Sequence, residues 1–278
     1  MTSDLSHRYI IAQTPTPPVQ PVEGPRQRSA QLDLIIVTVY LICVVYVFYQ
    51  ARQSLDHQTA YEFQSKALDE VLTKETIERH SKGEDGEEKL EVVPLKDLIG
   101  ISLKPEYKDR FKLEEQPKKL SLTVENKSTD YIVYIHWNLA SLIDYENQTH
   151  QLVRLTGGKR GEQSTSTVPS KTKFSTDITA DHLLKPDEKG TGLEPGIPIT
   201  DIVKLGKDAE NKKTPQKKKD LYANFMSHKE KLSFWVKLPL QLTEIKSGVK
   251  SDRWYIFDCE FKVELRPWTE HLPLKPKK

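Results

Sequence analysis

Eighteen consecutive residues carry no charge between Asp33 and Arg52: LIIVTVYLICVVYVFYQA, at 34–51. As an α-helix rising 1.5 Å per residue, this run spans roughly 27 Å, close to the ~30 Å hydrocarbon thickness of a bilayer. A core helix of a soluble domain normally keeps a polar stripe, and this run has none. A cleaved signal peptide fits poorly. The run is longer than a signal core, 33 residues precede it, and no A-x-A-like site follows. Tyr46 and Tyr49 suit an interfacial belt, and Arg52 is placed to reach the headgroups. The sequence thus predicts a single transmembrane helix at 33–51, with the lipid bilayer as its partner through residues 34–51. Arg26 and Arg28 precede the helix, whereas Arg52 and Lys66 follow it among acidic residues. The positive-inside bias therefore predicts a cytoplasmic N-terminus and an extracytoplasmic C-terminal part.

The rest of the 278-residue chain is charge-rich, with 29% Asp, Glu, Lys and Arg and 36% apolar residues. Basic and acidic residues nearly cancel, 42 against 40, for a net charge of +2. A dedicated nucleic-acid binder needs a basic surplus to displace counterions, so that class is excluded. There are two cysteines, Cys43 inside the apolar run and Cys259 in a predicted strand. No internal disulfide is available to the C-terminal part.

Segment boundaries follow from composition and period. Residues 1–32 hold TPTPPVQPVEGP and predict a disordered, proline-rich tail. Residues 52–82 predict a helical stalk. Tyr61, Ser65, Leu68 and Leu72 fall on one helical stripe, and Glu62–Lys66, Glu70–Lys74 and Glu75–Arg79 are i,i+4 pairs in the favourable order. The stripe is too short for a coiled coil, so the stalk is expected to lie against the following domain. SKGEDGEE at 81–88 ends it, and 83–117 reads as a linker and lead-in.

From 118 to 268 the period changes to two. Leu120, Leu122 and Val124 alternate with polar residues, NKSTD at 126–130 is turn chemistry, and Tyr131 to Trp137 is β-rich, which together predict an opening hairpin. In LSFWVKLPLQL, Leu232, Phe234, Val236, Leu238, Leu240 and Leu242 share one face; in YIFDCEFKVEL, Tyr255, Phe257, Cys259, Phe261, Val263 and Leu265 do. One apolar and one polar face is the antiparallel pattern. Pro239 lacks a donor, which predicts an edge strand or a bulge. Weaker strands are expected at 151–156, 167–176 and 197–205, with loops at 156–166 and 206–220. No helical stretch after residue 100 supplies a βαβ crossover, so the fold expected is a mainly β antiparallel sandwich. Residues 269–278 form a basic tail.

A strand ending V-x-N, a short polar turn and a second strand ending in Trp, as in LTVENKSTDYIVYIHW, resemble the immunoglobulin-like β-sandwich modules of membrane-anchored bacterial envelope proteins. The resemblance covers 118–266. It implies that fold and an envelope location, and it carries over no catalytic residue and no cofactor.

Little in the chain reads as chemistry. TGGKRG at 156–161 lacks P-loop spacing, no G-x-S-x-G elbow occurs, and no two of the eight histidines stand at i,i+2 or i,i+4. No metal or cofactor is expected, and the chain is read as a non-enzyme. Cys259 reads as a small buried hydrophobe. His136 should face away from Val133, Ile135 and Trp137. Asn126 and Asn147 match the glycosylation triplet. Lys212, Lys213, Lys217, Lys218 and Lys219 read as a solvated loop. The outward residues Trp235, Trp254 and Ile256 form the candidate surface for an unidentified protein partner, with Trp235 and Trp254 as a cross-strand pair. Two alternatives predict different geometry. A sugar or cell-wall ligand needs a concave, aromatic-lined pocket, and an enzyme needs titratable groups such as His136, Asp144 and His150 to converge in a cleft.

Overall fold

The computed structural model describes residues 30–56, 58–82, 88–106, 110–245 and 252–266. The expected proline-rich stretch, most of SKGEDGEE and the basic tail lie outside these residues. The chain divides into two units, 1–50 and 51–278.

Helix α1 (Ala30–Asp56) contains the uncharged run. Its window Asp33–Ala51 has a mean hydropathy of 2.3 and none of it is buried. Apolar side chains from Leu34 to Tyr49 are exposed around the helix. This is the one helix, among the described residues, long and apolar enough to cross a membrane.

The second unit is mainly β and antiparallel. In chain order it contains β1 (Gln58–Phe63), α2 (Ser65–Lys74), β2 (Thr76–Lys82), β3 (Glu88–Pro94), α3 (Leu95–Leu98), β4 (Ile99–Pro105), β5 (Arg110–Lys112), β6 (Leu120–Asn126) and β7 (Tyr131–Ile135). Then follow β8 (Ser141–Ile143), β9 (Thr149–Thr156), β10 (Lys159–Arg160), β11 (Ser166–Val168), β12 (Lys173–Ala180), β13 (Leu184–Pro186) and β14 (Leu193–Pro195). Two helices, α4 (Ile202–Glu210) and α5 (Gln216–Met226), precede the long strands β15 (Leu232–Glu244) and β16 (Asp252–Arg266). Twelve strands form one sheet whose main order is β4-β6-β12-β9-β8-β15-β16-β1-β5, with β7 on β15, β11 on β7 and β10 on β9. The limb containing β15 and β16 curls into a half-barrel.

The long hairpin is built as its alternation predicts. Leu232 pairs with Val263 and Thr243 with Asp252, and the inward residues of both strands are buried from Leu232 to Leu242 and from Phe257 to Leu265. Across this ladder the Phe234 and Phe261 rings stack, centroids 4.8 Å apart. Cys259 is fully buried, and desolvation pushes its thiol up to about 12. At neutral pH it is an inert hydrophobe.

Pro239 does not mark an edge. β15 pairs with β16 on one side, and on the other with β8 at Trp235–Lys237 and β7 at Leu240–Glu244. The Pro239 carbonyl accepts from His136 N (3.2 Å), so its donorless nitrogen faces the same side, where one neighbour gives way to the next.

Other expectations change. The stalk at 52–82 is not one helix. α1 ends at Asp56, and β1 pairs with the C-terminal half of β16, Tyr61 opposite Val263. Only Glu70–Lys74 of the three i,i+4 pairs lies within one helix, α2, which buries Leu68 and Leu72. An available β16 edge outweighs local helix propensity. The domain therefore begins near residue 58, and the supposed linker 83–117 holds β3, β4 and β5. The expected strand 197–205 and loop 206–220 are instead mostly α4 and α5, with Ile202, Leu205 and Phe225 in the core. The expected strand 151–156 lies within β9, and 167–176 breaks into parts of β11 and β12. The 156–166 loop begins as a two-residue turn, with Gly157 and Gly158 at φ 61° and 84°, the positive values a type I′ hairpin turn needs.

The segment 120–137 is not a hairpin either. β6 pairs with β4 and β12, whereas β7 pairs with β11 and β15, so the turn carries the chain from one limb to the other. Buried Asn126 holds the crossing. Its Nδ2 donates to Tyr131 O (2.8 Å) and Val168 O (3.0 Å), and its Oδ1 accepts from Ser128 N (3.0 Å). The nitrogen a glycan would occupy is thus committed inside the fold, while Asn147 sits exposed at φ 62°. Trp137, with no exposed surface, donates from Nε1 to Ser166 Oγ (2.8 Å) and meets Phe174 of β12 at 6.3 Å between ring centroids.

Asn126→Ala removes three hydrogen bonds from the core, those to Val168 O, Ser128 N and Tyr131 O, the last of which keeps its bond from Ser170 Oγ (3.2 Å). It should lower stability by about 2–4 kcal/mol, read as a fall in thermal midpoint by near-UV circular dichroism of the detergent-solubilised chain.

Candidate functional site

The three residues expected to meet a partner do not form one cluster. In the β15–β16 register Trp235 stands opposite Glu260 and Trp254 opposite Gln241, so no cross-strand tryptophan pair exists. Trp235 is partly covered. Trp254 and Ile256 stand two apart on the outward face of β16, 50% and 69% exposed.

His136 completes this surface. It follows β7 and points outward, opposite in sense to buried Ile135 and Trp137. Its ring lies against Trp254, centroids 4.4 Å apart and tilted by 33°. Nε2 donates to Gln241 Oε1 (2.8 Å), leaving Nδ1 to accept from Thr165 Oγ1 at 3.4 Å. Gln241 is the cross-strand neighbour of Trp254, so the indole is braced from two adjoining strands.

The backbone beside this patch lacks a strand partner among the described residues, although Arg253 reaches Glu78 O of β2 (3.5 Å). β1 covers β16 from Phe261 to Arg266, and Gln64 N donates to Glu260 O (2.9 Å) on the same side. Backbone groups alternate sides along a strand, so the N–H and C=O of Trp254, Ile256 and Asp258 point the same way as Glu260 O. Among the described residues no strand pairs with that edge from Asp252 to Cys259.

A second cluster lies elsewhere. Of His136, Asp144 and His150, the structure brings only the last two together: His150 Nε2 is 3.2 Å from Asp144 Oδ2. Asp144 Oδ1 meanwhile accepts from Glu146 N (2.9 Å) and Gln148 N (2.8 Å), tying the aspartate into the β8–β9 turn. The 3₁₀ turn Asp181–Leu183 after β12 adds two residues that the sequence reading missed. The His182 ring stacks on His150 with centroids 3.5 Å apart, and Asp181 Oδ1 lies 3.9 Å from His182 Nδ1. Partial burial, with His150 and Lys204, pushes the His182 pKa below the ordinary histidine value against the pull of Asp181 and Asp144. No local signal joins positions 150 and 182; the β9–β12 pairing does.

Two surface recesses bear on ligand binding. One is lined by residues including Ser121, Arg154, Thr156, Phe174, Thr176 and Asp177. The other runs between Tyr145, Glu146, Pro215, Lys217, Lys218 and Leu221. Neither presents facing aromatic rings. Lys218 is not a free loop lysine: its Nζ is 2.5 Å from Glu146 Oε1 and 2.9 Å from Asp208 Oδ2. Burial opposes its charge, and the two carboxylates outweigh that and hold it above the usual lysine range.

No protein-family model matches the chain, and a comparison with curated proteins gives no match.

Removing the brace should free the indole. His136→Ala is expected to cost about 0.5–1.5 kcal/mol and to raise the fraction of tryptophan fluorescence quenched by acrylamide. In a Trp254→Phe background the same change should leave quenching unaltered.

Proposed function

We propose that this protein is a non-enzymatic, single-pass membrane protein whose β domain binds another protein at the membrane, as an accessory subunit of a larger assembly. The observation that carries the reading is the exposed Trp254–Ile256 pair beside an unpaired strand edge. An extended segment of a partner adds to β16 there through backbone hydrogen bonds, and Trp254 and Ile256 contribute apolar contact. His136 and Gln241 hold the indole in place before the partner arrives, which limits the ordering cost of binding. Trp235 drops out of the surface.

The helix at 33–51 anchors the domain, with the N-terminus on the cytoplasmic side and the β domain outside, in keeping with Arg26 and Arg28. The likeness to immunoglobulin-like envelope modules belongs to the same reading. It is supported by the crossing from β6 to β7 between limbs and by buried Trp137. A carbohydrate ligand draws less support, because the recesses lack stacked aromatic walls.

Two measurements test this. A photocrosslinker at position 256 in native membranes should yield one discrete polypeptide adduct, lost in Trp254→Ser. The same crosslinker at Thr123, in the other limb, should give none. Adducts at neither position, or to lipid alone, would sink the partner reading. Separately, protease added to sealed, right-side-out membranes should degrade the β domain and spare the N-terminal tail.

A further inference from the structure

We propose that His150, His182 and Asp181 form a binding site for one divalent transition-metal ion, with Asp144 as the carboxylate that orients His150. The proposal is independent of the partner surface and departs from the expectation of no metal. It rests on distances. One ligand atom from each of the three residues lies within 4.8 Å of the other two. A tetrahedral ion with bonds of about 2.0–2.2 Å holds its ligands roughly 3.3–3.6 Å apart. The His150 and His182 rings are stacked, so closing the gap requires the His182 ring to turn out of the stack until both in-plane lone pairs converge. Its exposure on a short 3₁₀ turn allows that rotation, while Asp181 Oδ1 holds the His182 backbone amide (2.8 Å) and leaves Oδ2 for the ion.

The surroundings fit the same chemistry. Metal-bound imidazoles almost always give their second ring N–H to a carboxylate, a backbone carbonyl or water. His150 has that arrangement already, since Asp144 Oδ2 meets its Nε2 at 3.2 Å and leaves Nδ1 as the ligating atom. Asp144 is itself fixed by two backbone amides of the β8–β9 turn, so the orienting group is rigid. Two imidazole nitrogens and one carboxylate oxygen make a borderline donor set. It suits Zn²⁺ or Co²⁺ and is too nitrogen-rich for Mg²⁺ or Ca²⁺. The exposure of Asp181 and His182 leaves a fourth position for water.

The site would join two strands that already pair. His150 stands two residues before Leu152, where the buried part of β9 begins, and Asp181 and His182 follow directly after Ala180, which pairs with Leu152. The ion would therefore clip the end of β12 to β9 without moving either backbone.

The test uses the full-length chain in mild detergent, stripped with a chelator and titrated with ZnCl₂ against a competing fluorescent chelator. One ion per chain should bind. His182→Ala and Asp181→Asn should each weaken it at least tenfold, and Asp144→Asn by about 10–100-fold. His228→Gln, at a histidine whose ring bonds Leu265 O instead (2.8 Å), should leave affinity unchanged. Co²⁺ should give visible d–d absorption that is lost in His182→Ala. Affinity unchanged in both His182→Ala and Asp181→Asn, or the absence of one-to-one binding in the parent chain, overturns the site. Should His150→Ala fail to fold, these two exposed-site variants decide the question.

Discussion

The β15–β16 ladder runs unbroken from Leu232–Val263 to Thr243–Asp252, and the other elements attach to its two edges. Side chains alternate along each strand, so a slip of one residue would turn the buried Phe234, Val236, Cys259 and Phe261 out to water. At roughly 1.5–3 kcal/mol for each large apolar side chain exposed, no slipped register competes. That register then distributes the neighbours. β8 and β7 divide the free edge of β15 on either side of Pro239, and β1 takes the far end of β16. The same constraint that builds the core places Trp254 beside Gln241 and leaves the near end of the β16 edge without a strand partner among the described residues.

Strands whose own residues settle their state were legible in the sequence. β6, β15 and β16 alternate in sequence, and the described structure keeps the faces that alternation assigns except at Pro239, which is buried, and Tyr255, which is half-buried; β7 was read from its β-rich composition, and His136 after it points outward. β1 was not legible, because QTAYEF sits in a stretch with helical spacing and favourable i,i+4 charges. Its strand state comes from the β16 edge, some 200 positions further along. α4 carried a local sign that the strand reading overrode: Asp201 caps it, accepting from Lys204 N at 2.8 Å. α5 hides its single fully buried residue, Phe225, behind a run of lysines.

The candidate sites show the same division. Alternation tells which face a residue takes but not which residue stands across from it. Trp235 and Trp254 were correctly given to the outer face and wrongly given to each other, because the β15–β16 register sets Trp235 opposite Glu260 and Trp254 opposite Gln241. The Asp144–His150 contact is within reach of a local turn and was anticipated as one of several options. The addition of Asp181 and His182 depends on β12 pairing with β9, and no spacing rule contains that information.

An unpaired edge bearing tryptophan and isoleucine is ordinarily a liability, since a second copy of the chain could pair with it. The charges around this edge argue against that outcome. Antiparallel self-pairing centred on Tyr255 sets Asp252 opposite Asp258; centred on Ile256, it sets Asp252 opposite Glu260. Like charges directly opposite destabilise a ladder. Lys237 neutralises Asp258 within its own chain (2.8 Å), but Thr243 binds Asp252 by a hydroxyl and leaves its charge in place. A foreign strand with a basic or neutral residue facing Asp252 avoids the penalty and still gains the apolar contact of Trp254 and Ile256. Charge thus disfavours two of the self-pairing registers, which agrees with the proposal that the edge serves a different protein.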